Sequence, residues 1–320
     1  MRFGVSVPNR HPRPDLVVPY ALAVAREADR AQADLLMVGD KHAVAEPLAQ
    51  GPPLLGRLVG EAPGVRAFAA LFLAPLWAPL HLAETIGTLA GLAAAAGRPL
   101  VPVLALGRRD GGAAALERPA SGRVAALVRA IHRVRALAAG GGGDAAAGGA
   151  GRVAAEEGAA GGRALGGLAT SACTLAPVER VWVAAERAPA VRRAGRLADG
   201  WLANAHHPLA ELAIQCRALP EPAPGGRGGF TRAVRRDVIC TANATDAREQ
   251  AEALTAAGYR GFGPGALVAG DPAGCAAEVR RLAELGFDTV VVRPASPDPA
   301  AGAASVARFL AEVPAHLEHA

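Results

Sequence analysis

The chain has 320 residues, of which 51% are hydrophobic and 20% charged, with a formal net charge of +5. That composition supports a sizeable core and is too polar for a membrane protein; the longest apolar stretch, residues 67–80, carries Pro75 and Pro79 and falls short of the roughly 20 residues of a membrane span. Nucleic-acid binding is not expected either, because the basic residues are scattered over many helices and only 4% of the residues are aromatic.

The N-terminus, MRFGVSVPN, enters strand-like sequence without the charged head, long apolar run and cleavage site of a signal peptide, so no export is predicted. Residues 3–7 (FGVSV) read as a buried strand, followed by a helix from about Asp15 whose Val17, Tyr20, Ala21, Val24 and Ala28 recur at helical spacing. LLMV (35–38) and FAALFL (68–73) are the next strands. A helix through 82–94, the strand LVPVLAL (100–106) and an amphipathic helix over 122–137 follow. Residues 138–169 hold many glycines and almost no large apolar side chains, which predicts a low-complexity insertion or flexible loop.

Four more strands come after it: VWVA (181–184), GWLA (200–203), AVRRDVIC (233–240) and TVVV (289–292). Helices over 189–198, 211–219, 246–257 and 272–285 separate most of them. Asp271 is placed to cap the last of these, with Pro272 at its first position and Gly286 at its left-handed end. The tail, 302–318, reads as an amphipathic helix packed outside the sheet. Eight short apolar strands alternating with helices predict an α/β fold, a (β/α)8 TIM barrel forming one domain over 1–320, a size within reach of such barrels, which run to about 250 residues or more. Cys173, Cys216, Cys240 and Cys275 are scattered, without CxxC spacing, as suits buried thiols in a reducing cytoplasm.

In such a barrel the chemistry lies at the C-terminal ends of the strands. Strand two ends in Asp40, Lys41 and His42, which can act as acid, base or hydrogen-bond donor; a solvated loop with an Asp–Lys pair reads the same way. After strand three come Leu76 and Trp77, the indole offering a flat wall for a planar ring or simply filling the rim. Ala185, Glu186 and Arg187 precede a helix without a Ser, Thr, Asp or Asn cap, whose first amides can take a phosphate or water. Gly107, Arg108, Arg109 and Asp110 follow strand four and Arg293 follows strand eight, bringing cations to the mouth. His206 and His207 have no ligand at a familiar metal spacing, so no metal is expected.

The ordered series VGDKH, PPLLGRLVGEA, LFLAPLWAPLHLAETIGTLAGLAAAAGRP, VWVAAERAPAVRRAGRLADGWLA, RRDVICTANATDAREQAEALTAAGYRGF, ALVAGDP and LGFDTVVVRP resembles the luciferase-like monooxygenases over nearly the whole chain. The resemblance implies a luciferase-like barrel using FMN or F420 on a small-molecule substrate, and leaves a homodimer open. It implies that Asp40 matches the family's carboxylate beside the ring and His42 a second family histidine. Lys41 stands where relatives often carry the catalytic histidine, and Ala78 where PLWHP would have another. Residues 184–187 match the family's phosphate-binding turn, and the cofactor pocket is expected to include Leu76, Trp77, Gly107, Ala185, Glu186 and Arg187.

Three readings follow: a flavin- or F420-dependent oxidoreductase, by oxygen insertion or hydride transfer; a non-catalytic cofactor-binding relative, suggested by Lys41 and Ala78; and a Schiff-base lyase with Lys41 as nucleophile, disfavoured because Asp40 would raise the amine's pKa.

Overall fold

A computed structural model describes residues 1–107, 116, 121–138, 175–220, 229–263 and 265–318. All eight expected strands form: β1 (Arg2–Val7), β2 (Leu35–Val38), β3 (Phe68–Leu73), β4 (Leu100–Ala105), β5 (Trp182–Ala184), β6 (Gly200–Ala203) and β7 (Thr231–Cys240) in succession, then, after an additional strand β8 (Leu267–Gly270), β9 (Thr289–Pro294). Each pairs in parallel with the next, β7 pairs with β9, and β9 returns to β1, closing a barrel in the order β1-β2-β3-β4-β5-β6-β7-β9. Around it lie α1 (Val17–Arg30), α2 (Gly51–Glu61), α3 (Pro79–Ala95), α4 (Arg123–Ala138), α5 (Ala188–Leu197), α6 (Leu209–Arg217), α7 (Ala244–Ala256), α8 (Pro272–Glu284) and α9 (Pro299–Glu318). The fold is a (β/α)8 TIM barrel. Arg108, Arg109, Asp110, Cys173 and the Ala/Gly-rich stretch beyond Ala138 lie outside the described residues.

Two elements go beyond the periodicity reading. Helix α2 begins with prolines in its first turn, where a missing N–H leaves no intrahelical bond unmade, and buries Leu54, Leu55, Leu58 and Val59. Strand β8 arises because β7 outruns its neighbour. Thr231–Val234 pair with β6, whose last residue, Ala203, lies opposite Val234. From Asp237 onward the same strand pairs with β8, Asp237 opposite Leu267 and Cys240 opposite Gly270. The chain entering β8 is thereby carried over the barrel mouth.

The two faces of the closed sheet form two apolar clusters. Leu35, Met37, Ala69, Val101, Val103, Trp182, Leu202, Ala233 and Val291 fill the inside of the barrel. Phe3, Leu36, Phe68, Phe72, Leu104 and Trp201 face outward under the helices. The tail helix α9 lies on the outside as expected, with Phe309 edge-on to Phe3 at 5.7 Å between ring centres. At α8 Asp271 accepts the Gly274 N–H at 2.8 Å, and Gly286 takes φ +87°, as the sequence predicts for both ends.

Inside the barrel, Trp182 fits because its neighbour across the β5–β6 pairing is glycine: a Cβ on Gly200 would lie 2.5 Å from Trp182 Cδ1 and 3.0 Å from Thr231 Cβ. Gly200→Ala is therefore expected to destabilise the protein by about 1–3 kcal/mol, the usual range for overpacking. In urea unfolding, Gly200→Ala in a Trp182→Leu background should cost markedly less than in the wild-type background; equal losses would show that the indole is not what the methyl group meets.

Candidate active site

At the C-terminal end of β2 the carboxylate of Asp40, fully buried as a side chain, works as a hub. It accepts the backbone N–H of Leu73 at 2.9 Å and the indole N–H of Trp77 at 2.8 Å, both on Oδ2. Oδ1 faces His42 Nε2 at 3.0 Å, an ion-pair contact bent away from ideal hydrogen-bond geometry. The contact with Asp40 raises the His42 pKa above its ordinary value of 6.5, outweighing burial, which lowers it. Trp77 is further fixed edge-on to Phe72 and to His42, at 5.5 and 6.1 Å between ring centres. The loop after β2 is tied down by Asn9, whose side-chain amide donates to the carbonyls of Gly39 and Ala49. Lys41 and Leu76 are both half-buried.

In the turn after β5 the Ala185 N–H bonds to Leu202 O at 3.3 Å and its carbonyl accepts the Trp201 indole at 2.9 Å, tying its backbone to the barrel wall. Glu186 accepts from Asn204 Nδ2 at 2.7 Å. Arg187 is exposed at the start of α5, which lacks a side-chain cap and has proline in its first two positions; the Arg187 carbonyl takes the N–H groups of Ala190 and Val191. Gly107 takes φ +72° at the end of β4.

The fold also joins groups that no local spacing announced. Glu186, His206 and His207 offer ligand atoms all within 4.8 Å of one another. His207 Nδ1 meets Glu211 Oε2 at 2.5 Å, while its buried Nε2 has no hydrogen-bond partner. The expectation of no metal rested on chain spacing, which does not see this trio across β5 and β6.

Further round the mouth, beyond β1, Arg235 and Asp237 follow Ala233 on the inward face of β7, and Arg293 follows Val291 on the inward face of β9. Arg260, on the 3-10 turn Tyr259–Gly261 that leads toward β8, comes to the same place. Asp237 accepts the Tyr259 hydroxyl at 3.0 Å and lies 3.5 Å from Arg235 Nε and 3.4 Å from Arg260 Nη1. Burial alone would raise the Asp237 pKa, but Arg260, Arg235 and Arg293 together hold it below the usual carboxylate range. Burial lowers Arg293 to about 10 and lowers Arg235 as well. Of this group only Arg293 was singled out from the sequence; the signal for Arg235 and Asp237 is two charges spaced two apart in an otherwise apolar strand.

A crevice lined by Trp77, Leu82, Ala126, Arg129 and Val134 has a volume of only about 40 Å³ and lies between α3 and α4. Among the described residues, no helix is long and apolar enough to cross a membrane.

A family profile described as luciferase-like monooxygenase matches residues 1–265. Similar solved structures include a monooxygenase, RslO1, from Streptomyces bottropensis (TM-score 0.78, 16% identity, 99% of each chain covered). Another is the oxygenating constituent of 3,6-diketocamphane monooxygenase from Pseudomonas putida in complex with FMN (0.73, 16%, 99% of this chain and 98% of that one). A third is an F420-dependent secondary alcohol dehydrogenase in complex with an F420–acetone adduct (0.72, 17%, 98% of each). A search of curated protein sequences found no match.

The Asp40–His42 contact generates a pH prediction. Because the folded-state pKa of His42 is raised, its contribution to stability is fully present below about 6.5 and is lost as pH rises through the folded value. An NMR titration of the His42 ring should give a midpoint above 6.5, falling back toward 6.5 in Asp40→Asn; an unchanged midpoint in that variant would remove Asp40 as the cause.

Proposed function

The chain belongs to the luciferase-like monooxygenase family, and from that premise we propose that it is a flavin- or F420-dependent oxidoreductase acting on a small organic substrate. The observation that carries this reading is the Asp40 hub, which fixes a protonatable histidine and an indole together at the ends of β2 and β3, where barrel enzymes perform their chemistry.

The residues present fit a tricyclic ring with a phosphate tail. Gly39, beside Asp40, has nothing within 4 Å of where a side chain would begin, and Gly107 leaves the end of β4 without a side chain. Trp77 supplies a rigid wall, held by Asp40 rather than free to rotate. At the other end, Arg187 and the uncapped start of α5 suit a phosphate, with Glu186 drawn onto Asn204. Ala185 contributes only the shape of that turn.

When bound, a reduced flavin or deazaflavin would supply a hydride, and a reduced flavin also electrons for oxygen. The protein's part is to orient and to manage protons. With Nε2 turned to Asp40, His42 keeps Nδ1 as the ring atom able to give or take a proton at the mouth, and Asp40 holds the imidazolium form in readiness. Lys41 adds a second cation beside an anionic ring. A cofactor-binding relative without turnover is the second reading, favoured by Lys41 and Ala78, which by resemblance stand where relatives often carry histidines.

Titration with FMN and with F420, each oxidised and reduced and followed by absorbance and fluorescence, should show binding of one of them. Asp40→Ala should weaken that binding about tenfold or more, the scale of a buried polar network losing its acceptor. Binding of neither cofactor would overturn the reading, and binding without turnover on any oxidisable or reducible substrate would favour the second.

A further inference from the structure

Deep in the mouth, the guanidiniums of Arg235, Arg260 and Arg293 surround the single carboxylate of Asp237. Three positive charges against one negative leave two uncompensated, in a place where Asp237 is fully buried and the Arg235 and Arg260 side chains are only 16% and 18% exposed. Arg10 adds a further positive field nearby but is paired with Glu46 at 3.0 Å. Ordinary structural ion pairs balance their charge and satisfy their donors. Here they do not: Arg293 Nε is buried without a hydrogen-bond partner among the described residues, and Arg235 Nε and Arg260 Nη1 meet Asp237 only in ion-pair contacts of 3.5 and 3.4 Å that fall short of hydrogen bonds.

The geometry around these donors is built rather than incidental. Arg235 is oriented by Asn204, whose Oδ1 accepts from Nη2 at 3.1 Å. Tyr259 holds Asp237 by a 3.0 Å hydrogen bond. Arg260 sits at φ +51°, a left-handed conformation that residues with a side chain seldom adopt, with its guanidinium carbon 5.4 Å from the centre of the Phe262 ring. Arg236 points outward from the same strand, and although its Nε also lacks a hydrogen-bond partner its charge is compensated, since it donates to the His207 carbonyl at 2.7 Å and to Glu278 at 3.1 Å.

We propose that Arg235, Arg260 and Arg293 form an anion subsite that receives the oxyanion, a carboxylate or similar group, of an organic-acid substrate. The subsite deepens the proposed function by naming its substrate class, and to that extent rests on it. It lies on the β7 and β9 side of the barrel, with the Asp40 hub at β2 and the turn at Arg187 after β5, so an acid anchored here reaches toward a ring held by Trp77 without competing for the phosphate turn.

The test is isothermal titration of the full chain, without cofactor, using acetate, benzoate and inorganic phosphate, with acetamide and benzamide as neutral counterparts. At least one anion should bind, at least tenfold more tightly than the amides. Arg293→Met and Arg260→Met should each weaken it at least tenfold while leaving FMN and F420 affinities unchanged. If Arg293→Met fails to fold, Arg260→Met, on the turn at the rim, carries the comparison. Anions binding no better than amides, or equally well to the variants, would overturn the subsite. Variants that lose affinity for FMN but not for riboflavin would assign the three arginines to the cofactor's phosphate and overturn the substrate assignment. Failure of both cofactors to bind wild-type protein sinks the proposed function alone, because the anion titrations are read without cofactor.

Discussion

A closed parallel barrel leaves each strand no solvent face: alternate side chains enter either a narrow interior or the layer beneath the helices. The lower interior meets this constraint by alternating small and large groups, with Gly200 beside Trp182 and Ala69 and Ala233 among Leu35, Met37 and Leu202. Burying each of the larger side chains contributes roughly 1.5–3 kcal/mol, and that apolar floor is what fixes the register of every strand. Register then decides the chemistry above it. Two residues beyond Ala233 the inward position on β7 is Arg235, and two beyond Val291 on β9 it is Arg293. A one-residue slip would turn both outward.

That dependence explains how far the sequence could be read. All eight barrel strands were legible within about two residues because short apolar runs bounded by helical patterns recur in order. Strand β8 was not, since LVAG is four residues long, glycine-flanked, and becomes a strand only because β7 outlasts β6. Helix α2 was hidden by Pro52, Pro53, Gly56 and Gly60, residues of low helix propensity overridden by the burial of Leu54, Leu55, Leu58 and Val59.

The site divides along the same line. Asp40, His42 and Trp77 were visible because family segments carry them, though nothing in the chain spacing revealed that one carboxylate holds the other two. The sequence did not reveal that the N–H and carbonyl of Ala185, in the turn after β5, tie into the barrel wall. The Glu186, His206 and His207 trio and the arginine group need knowledge of which strands are neighbours and which face turns in. Arg260 is the extreme case, brought to Asp237 by a turn that exists only because β8 follows.

The two walls of the mouth differ in a way that bears on how it works. On the β2 and β3 side Asp40 is paired with a histidine whose protonation it promotes. At β7 and β9 charge is left in excess, and the fold supports the excess instead of relieving it: Asn204 steers Arg235, and the backbone at Arg260 stays in a conformation costing of order 1 kcal/mol or more. Phe262 and Asp237 hold that arginine in place. Replacing a whole buried ion cluster, carboxylate included, with apolar side chains commonly leaves a protein as stable or more so, so packing alone gives no reason to gather three arginines around one aspartate. An asymmetry maintained against its own cost is better understood as complementarity to a ligand that brings the missing negative charge.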